Sequence, residues 1–142
     1  VAETEEARRR GAREIDTVID LGLVKAGRWG EATADLSALV EAAAPARLKV
    51  ILETCLLNGD EKRRAMMAVC DAGAAFAKTS TGFAAAGARV EDVRLMARLA
   101  AGRVAIKAAG GIRSLAEARA LLAAGADRLG LSRTAAILAE LE

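Results

Sequence analysis

Lysine is the residue whose placement first indicates chemistry in this 142-residue sequence. Lys49, Lys78 and Lys107 lie inside apolar runs at intervals of 29 residues, where a solvated surface lysine would not normally sit. Two ammonium groups about 6 Å apart, at an effective dielectric constant of about 20, oppose each other's protonation by roughly 2.8 kcal/mol, which lowers one pKa by about two. An amine with a lowered pKa can attack a carbonyl, so these lysines indicate Schiff-base catalysis without a metal.

Polar, glycine-containing turns follow two of these lysines. Lys78 is followed by Thr-Ser-Thr-Gly, whose hydroxyls and glycine N–H can hold polar substrate groups, and Lys107 is followed by Ala-Ala-Gly-Gly. Backbone N–H groups at such a Gly-Gly turn can approach a phosphate, with Arg113 either adding charge or facing solvent. The alternative is a Lys78 that only extends from a strand end into solvent. The candidate substrate ligands in these turns and in the next one are Thr81, Gly82, Gly110, Gly111 and Ser132.

Carboxylates alternate along an earlier predicted strand. Glu14, Asp16 and Asp20 share one face of this strand because side chains two residues apart point the same way. A carboxylate inside a strand is costly unless it is paired, so the buried lysines are its natural partners, either for proton transfer or in a purely structural salt bridge. We expect Lys49, early in its own strand, to form a structural ion pair or a supporting contact, since Glu53 shares its face.

Five short apolar runs and the helical stretches between them must position these residues. Four of the five runs follow a glycine of the kind that ends a helix in the left-handed conformation, whereas Pro45 precedes the run at 47–54. Ser114 with Glu117 fits a capping box. Strict alternation of helices and strands predicts a parallel α/β sheet with right-handed crossovers. The predicted strands are 14–20, 47–54, 74–79, 103–108 and 128–132, and the predicted helices lie before residue 13 and at 30–44, 60–72, 90–101, 115–124 and 134–141.

Composition limits the other possibilities. The length fits a single domain over 1–142, and the absence of His excludes a Ser-His-Asp triad and a histidine metal site. A net charge of +2 and 2% aromatic residues give no reason to expect nucleic-acid binding. No uninterrupted apolar run reaches the roughly 18 residues of a membrane helix. Two cysteines without a disulfide framework, and no targeting signal, favour the cytoplasm.

Two architectures fit five parallel strands. An open doubly wound sheet suits the length, because a (β/α)₈ barrel needs at least about 200 residues. At 29 residues per repeat, however, five strands here and three missing ones would make eight. The motifs, rather than the length, favour the barrel.

Four segments together resemble the deoxyribose-phosphate aldolase family, in the same order and with matching spacing over essentially the whole chain. They are the segments 14–16 (EID), 48–54 (LKVILET), 76–82 (FAKTSTG) and 106–113 (IKAAGGIR). The lysine-Thr-Ser-Thr-Gly segment is highly specific, whereas the Gly-Gly segment occurs in many phosphate-binding barrels. The resemblance implies a (β/α)₈ TIM-type barrel of which this chain contains about five βα units, strands four to eight.

The resemblance also implies a class I aldolase that reversibly cleaves 2-deoxy-D-ribose 5-phosphate to acetaldehyde and D-glyceraldehyde 3-phosphate, with no cofactor. By the family's pattern, Lys78 forms the Schiff base, while Lys107 activates it by charge repulsion and, with Asp16 and a water, relays protons. Thr81 matches a substrate-contacting hydroxyl, and Gly82, Gly110, Gly111 and Ser132 match phosphate-binding positions. The sequence departs from many family members at Arg133, where they have a second Ser, and from some at Phe83, where they have Lys.

Two alternatives remain open from the sequence. A phosphosugar isomerase or synthase barrel could use the same Gly-Gly turn, and would not need Lys78. The chain could also be an inactive or structural truncated fragment. Without three strands, two sheet edges and an inner face that we expect to be apolar would be exposed, which favours self-association into a homo-oligomer.

Overall fold

The computed structural model describes residues 1–141 and contains one parallel sheet of five strands in the order β1-β2-β3-β4-β5. Each strand pairs with the next in the chain, and the helices lie between them, as the alternating pattern predicts. The strands are β1 Glu14–Val18, β2 Arg47–Ile51, β3 Phe76–Lys78, β4 Ala105–Ala109 and β5 Arg128–Gly130. The helices are α1 Ala2–Arg9, α2 Leu21–Lys25, α3 Trp29–Ala43, α4 Gly59–Asp71, α5 Val90–Ala100, α6 Leu115–Ala123 and α7 Thr134–Ala139, with a 3₁₀ turn at Thr54–Leu56.

Local capping explains where several helices begin. Asn58 and Glu61 form a full capping box at the start of α4. At α6, Ser114 accepts a hydrogen bond from Glu117 N at 3.2 Å, but the Glu117 carboxylate accepts from Arg113 N instead of Ser114 N. The capping box expected at α6 is therefore only half formed.

All five strands are shorter than predicted: β1, β2, β3 and β5 end early, and β3 and β4 begin late. Asp20, expected on the face of the first strand, lies beyond it and caps α2, where its carboxylate accepts a hydrogen bond from Leu23 N at 2.9 Å. Helix α2 is therefore an element that the sequence analysis missed. The strand expected over 47–54 ends at Ile51, and Glu53 has a left-handed backbone with φ 52°.

The two faces of the sheet differ in chemistry. One face packs against helices in the main hydrophobic core, which includes Leu48, Val50, Ala77 and Ile106. The alternate residues point to the opposite face, because strand side chains alternate. This inner face was expected to be apolar, but it is charged. Around the Phe76 ring it carries Glu14, Asp16, Lys49, Lys78, Lys107 and Arg128.

The sheet is strongly curved around this charged face. β1 and β5 are separated by four strand spacings, which in a flat sheet would amount to about 19 Å. Arg128 on β5 nevertheless donates to Glu14 on β1 at 2.5 Å. The curvature brings side chains from all five strands toward one interior. Within residues 1–141, no helix has the length and apolar character needed to cross a membrane.

Candidate active site

The strand register brings the candidate catalytic residues together. Lys78 on β3 lies directly beside Lys107 on β4, and Asp16 on β1 lies beside Lys49 on β2. All four side chains belong to the charged inner face, so their proximity follows from parallel pairing and from the period of two. The three candidates from the sequence, Lys78, Lys107 and Asp16, therefore occupy one interior.

Asp16 lies between two lysines and binds both. Its Oδ1 accepts from Lys49 Nζ at 2.9 Å, and its Oδ2 accepts from Lys78 Nζ at 2.9 Å. Burial by itself would raise the pKa of Asp16, but the hydrogen bonds from Lys49 and Lys78 outweigh it, and the pKa lies below its ordinary value. Asp16 is thus a charged carboxylate that holds the Lys78 amine in place.

Lys107 has a different environment. No carboxylate of residues 1–141 lies within 4.0 Å of its Nζ. Burial lowers the pKa of Lys107, and the positive charges of Lys49 and Lys78 lower it further. Lys107 is therefore an amine that loses its proton more readily than an ordinary lysine.

Glu14, the first residue of β1, forms an ion cluster at the amino end of the inner face. It accepts from Arg128, from Arg47 at 2.6 Å and from Lys49 at 3.1 Å, and Arg128 also stacks 4.6 Å from the Phe76 ring. The hydrogen bonds from Arg128 and then Lys49 lower the pKa of Glu14 from 4.5 to about 2. Lys49 thus forms structural ion pairs, as expected, but its partners are Glu14 and Asp16 and not Glu53.

This lowered pKa predicts a pH-dependent contribution of Glu14 to stability. A carboxyl whose pKa falls on folding stabilises the native state fully above pH 4.5 and loses that contribution as the pH falls through about 2. We expect Glu14→Gln to lower the free energy of unfolding near neutral pH, with the difference from the unsubstituted chain shrinking progressively between pH 5 and 2. Urea unfolding across that range measures it.

The control for this prediction is Glu31→Gln, which breaks the exposed Arg28–Glu31 pair on the surface. Exposed pairs contribute about 0–1 kcal/mol, so this variant should change little. An equally small, pH-independent effect of Glu14→Gln would contradict a stabilising role for the inner ion cluster.

A cavity of about 370 Å³ opens at the carboxyl ends of β3, β4 and β5. Gly82, Gly110 and Gly111 line it with positive φ angles of 98°, 86° and 75°, which a side chain would strain. The two lysines and all five candidate substrate ligands line this cavity, and Asp16 reaches it through Lys78. The cavity lining comprises Lys78, Thr81, Gly82, Lys107, Ala109, Gly110, Gly111, Ile112, Gly130, Leu131 and Ser132.

Comparison with known proteins shows which family the chain belongs to. The family model described as DeoC/LacD family aldolase matches residues 1–137. The chain belongs to this aldolase family. A deoxyribose-phosphate aldolase of Streptococcus mutans is 48% identical over 136 residues, which cover 96% of this chain and 62% of the relative.

Solved structures of similar proteins agree with the fold. The structure described as QR15, an aldolase, has a TM-score of 0.92 and 41% identity. The match covers 99% of this chain and 63% of the QR15 chain. The tetrameric deoxyribose phosphate aldolase of Aeropyrum pernix has a TM-score of 0.88 and 32% identity. The match covers 99% of this chain and 59% of the Aeropyrum pernix chain. The chain thus spans about three fifths of the length of these aldolases.

Two residues that depart from the pattern of the aldolase family lie outside the cavity lining. Phe83 is 97% exposed, and only its backbone N–H contacts the site, by donating to Thr81 Oγ1 at 3.1 Å. Arg133 is exposed at the start of α7. The side chains at both positions are therefore free of the contacts that shape the cavity.

Two residues that shape this cavity were not predicted from the sequence. A Cβ on Gly87 would lie 2.1 Å from Gly110 O, so only glycine allows the 81–89 loop to pack on the Gly-Gly turn. Ala88 N fixes the loop there by donating to Gly110 O at 3.0 Å. The second is Glu53, which binds Thr81. Its position after an apolar strand was a signal, but the sequence could not show which way it faces.

Proposed function

We propose that this chain is the catalytic part of a class I aldolase that cleaves 2-deoxy-D-ribose 5-phosphate to acetaldehyde and D-glyceraldehyde 3-phosphate. This proposal rests on one cavity that is lined both by two lysines, Lys78 and Lys107, and by three glycines with positive φ angles. These glycines, Gly82, Gly110 and Gly111, form the glycine cradle. The amines suit a carbonyl, and the glycine N–H groups suit a phosphate at the far end of the same molecule. The relatives named deoxyribose-phosphate aldolase support the choice of substrate.

The reaction begins at Lys78. Its neutral amine adds to the C1 aldehyde of the open-chain sugar, and loss of water leaves an iminium ion. The C3 hydroxyl then gives up its proton, the C2–C3 bond breaks, and its electron pair moves into the enamine as glyceraldehyde 3-phosphate leaves. Protonation of the enamine at C2 and hydrolysis release acetaldehyde and regenerate Lys78.

In this scheme Lys107 transfers protons and Asp16 positions the Lys78 amine. Because the pKa of Lys107 lies below its ordinary value, more of this amine is neutral at a given pH than for an ordinary lysine, so we assign it the proton of the C3 hydroxyl. Through a water, the same proton can return to C2 of the enamine. Asp16 orients the Lys78 amine at 2.9 Å and balances the positive charge of the interior.

The phosphate lies, in this proposal, at the mouth of the cavity. Gly82, Gly110 and Gly111 leave their backbone N–H groups unobstructed by side chains, and Ser132 adds a hydroxyl from the turn after β5. Thr81 faces the middle of the substrate. The carbonyl end of the sugar then reaches toward Lys78 and Lys107, at the inner end of the same cavity.

For the architecture, we propose that the five strands correspond to strands four to eight of a (β/α)₈ barrel. The curvature that joins Arg128 on β5 to Glu14 on β1 supports part of a barrel wall rather than a flat, doubly wound sheet. The edges β1 and β5 favour association into a homo-oligomer, and the Aeropyrum pernix relative is described as tetrameric. The free thiols Cys55 and Cys70 fit a reducing compartment, so we propose a cytoplasmic location.

The proposed activity is tested by measuring acetaldehyde release from 2-deoxyribose 5-phosphate. We expect turnover with this sugar and at least tenfold lower kcat/KM with unphosphorylated 2-deoxyribose, because the glycine cradle would be left unused. Turnover of another phosphosugar without acetaldehyde release would favour the isomerase or synthase alternative. A folded chain that turns over none of these sugars would favour the structural-fragment alternative.

A further inference from the structure

Glu53 and Thr81 form a buried hydrogen-bonded unit beside the cavity. Glu53 is only 4% exposed, and its Oε2 accepts from Thr81 N at 3.2 Å and from the Thr81 hydroxyl. Its Oε1 shares the Thr81 N donor at 3.4 Å and is approached by one further donor, Cys55 Sγ at 4.0 Å. All of its hydrogen-bond partners can therefore donate to the carboxylate oxygens.

This arrangement fixes the direction of the Thr81 hydroxyl. A hydroxyl has one proton to donate and two lone pairs that accept. The Thr81 proton is directed to Glu53, and one lone pair accepts from Phe83 N at 3.1 Å. A single lone pair remains for a ligand in the cavity that Thr81 lines, so toward that ligand Thr81 is an acceptor only.

The backbone of Glu53 supports a specific role for this contact. Its φ of 52° lies in the left-handed region, which residues other than glycine adopt only when their surroundings hold them there. Glu53 and Ala101 are the two non-glycine residues with positive φ in the described chain. The strained turn after β2 is what aims the Glu53 carboxylate across to Thr81 in the loop after β3.

We propose that Glu53 is a positioning residue that sets Thr81 as an obligate acceptor, so that the site selects a substrate hydroxyl at this point and disfavours a carbonyl or phosphate oxygen. This inference rests on the proposed aldolase function and adds a specificity determinant to it. A substrate hydroxyl donates its proton to Thr81 Oγ1. An acceptor oxygen at the same point would face a lone pair and gain no hydrogen bond.

The test compares two acceptor aldehydes in condensation with acetaldehyde, D-glyceraldehyde and propanal, which lacks both hydroxyls. We expect the chain to prefer glyceraldehyde, and Glu53→Gln to reduce the ratio of the two kcat/KM values about tenfold. The reason is that the amide donates to Thr81 Oγ1 and frees its proton to turn toward the cavity. Thr81→Val should reduce the ratio similarly, and adding Glu53→Gln to Thr81→Val should change it no further.

Exposed Glu41→Gln on α3 is the matched control and should keep the original ratio. Condensation with both aldehydes but an unchanged ratio in Glu53→Gln, or an equal fall with both, would overturn the role of Glu53 alone. A further fall in the double variant would also overturn it, because Glu53 would then act independently of Thr81. No condensation with either aldehyde by the unsubstituted chain would overturn the proposed function itself.

Discussion

Replacement of Lys78 by methionine is expected to reduce kcat for cleavage of 2-deoxyribose 5-phosphate by at least about 10⁴-fold, as measured for other covalent nucleophiles. Methionine has a similar length and keeps the apolar contacts of β3, but it has no amine to form the iminium ion. Acetaldehyde release under saturating substrate measures the loss. Substrate affinity should change less, because the glycine cradle is intact.

Lys25→Met is the matched control, because Lys25 is half exposed, pairs with Glu61 and does not belong to the cavity lining. It should leave kcat within about twofold of the unsubstituted value, as surface changes do little. If Lys78→Met retained full activity, covalent catalysis by Lys78 would be excluded and a non-covalent phosphosugar enzyme would be favoured.

The second large effect is expected for Lys107→Met. Loss of a general acid–base group lowers the rate by about 10²–10⁴-fold, and we expect kcat to fall within that range while Lys78 still forms its covalent intermediate. In the unsubstituted chain, kcat should rise with pH through the lowered pKa of Lys107, because the neutral amine is the form that accepts the proton. The Lys107→Met profile should lack this rise. Steady-state kinetics between pH 5 and 10 measure both.

Stability separates this catalytic loss from misfolding. A lysine whose pKa is lowered on folding opposes the native state at pH values where it is charged. Lys107→Met should therefore be at least as resistant to urea as the unsubstituted chain at pH 6. A variant that retained the pH-dependent rise would contradict the assignment of Lys107 as the proton acceptor.

Much of the fold and site could be predicted from the sequence because both depend on local pattern. The period of two and the spacing of 29 residues placed Lys78 and Lys107 on one face of neighbouring strands, and the structure pairs them directly. Glycines after helices marked the strand starts, as their positive φ angles confirm at Gly11 and Gly73. Helix α2 escaped prediction because five residues are too few to show a helical period.

The remaining features depend on distances between side chains, which sequence pattern does not contain. Glu53 was expected to pair with Lys49 because the two share a strand face by parity. The strand ends before Glu53, however, and the left-handed turn sends its carboxylate to Thr81 instead. The pKa of Lys107 likewise depends on the distances from its amine to Lys49, Lys78 and Asp16, which are set by the curvature of the sheet.

The central claim, that Lys78 is the covalent nucleophile of an assembled site, is tested most directly by chemical trapping. The chain is incubated with acetaldehyde and borohydride, and peptide mass spectrometry locates the reduced adduct. The account predicts a single major adduct on Lys78 that is absent in Lys78→Met and persists in Lys107→Met. An adduct on Lys107 instead, or none on a chain shown to be folded, would contradict it.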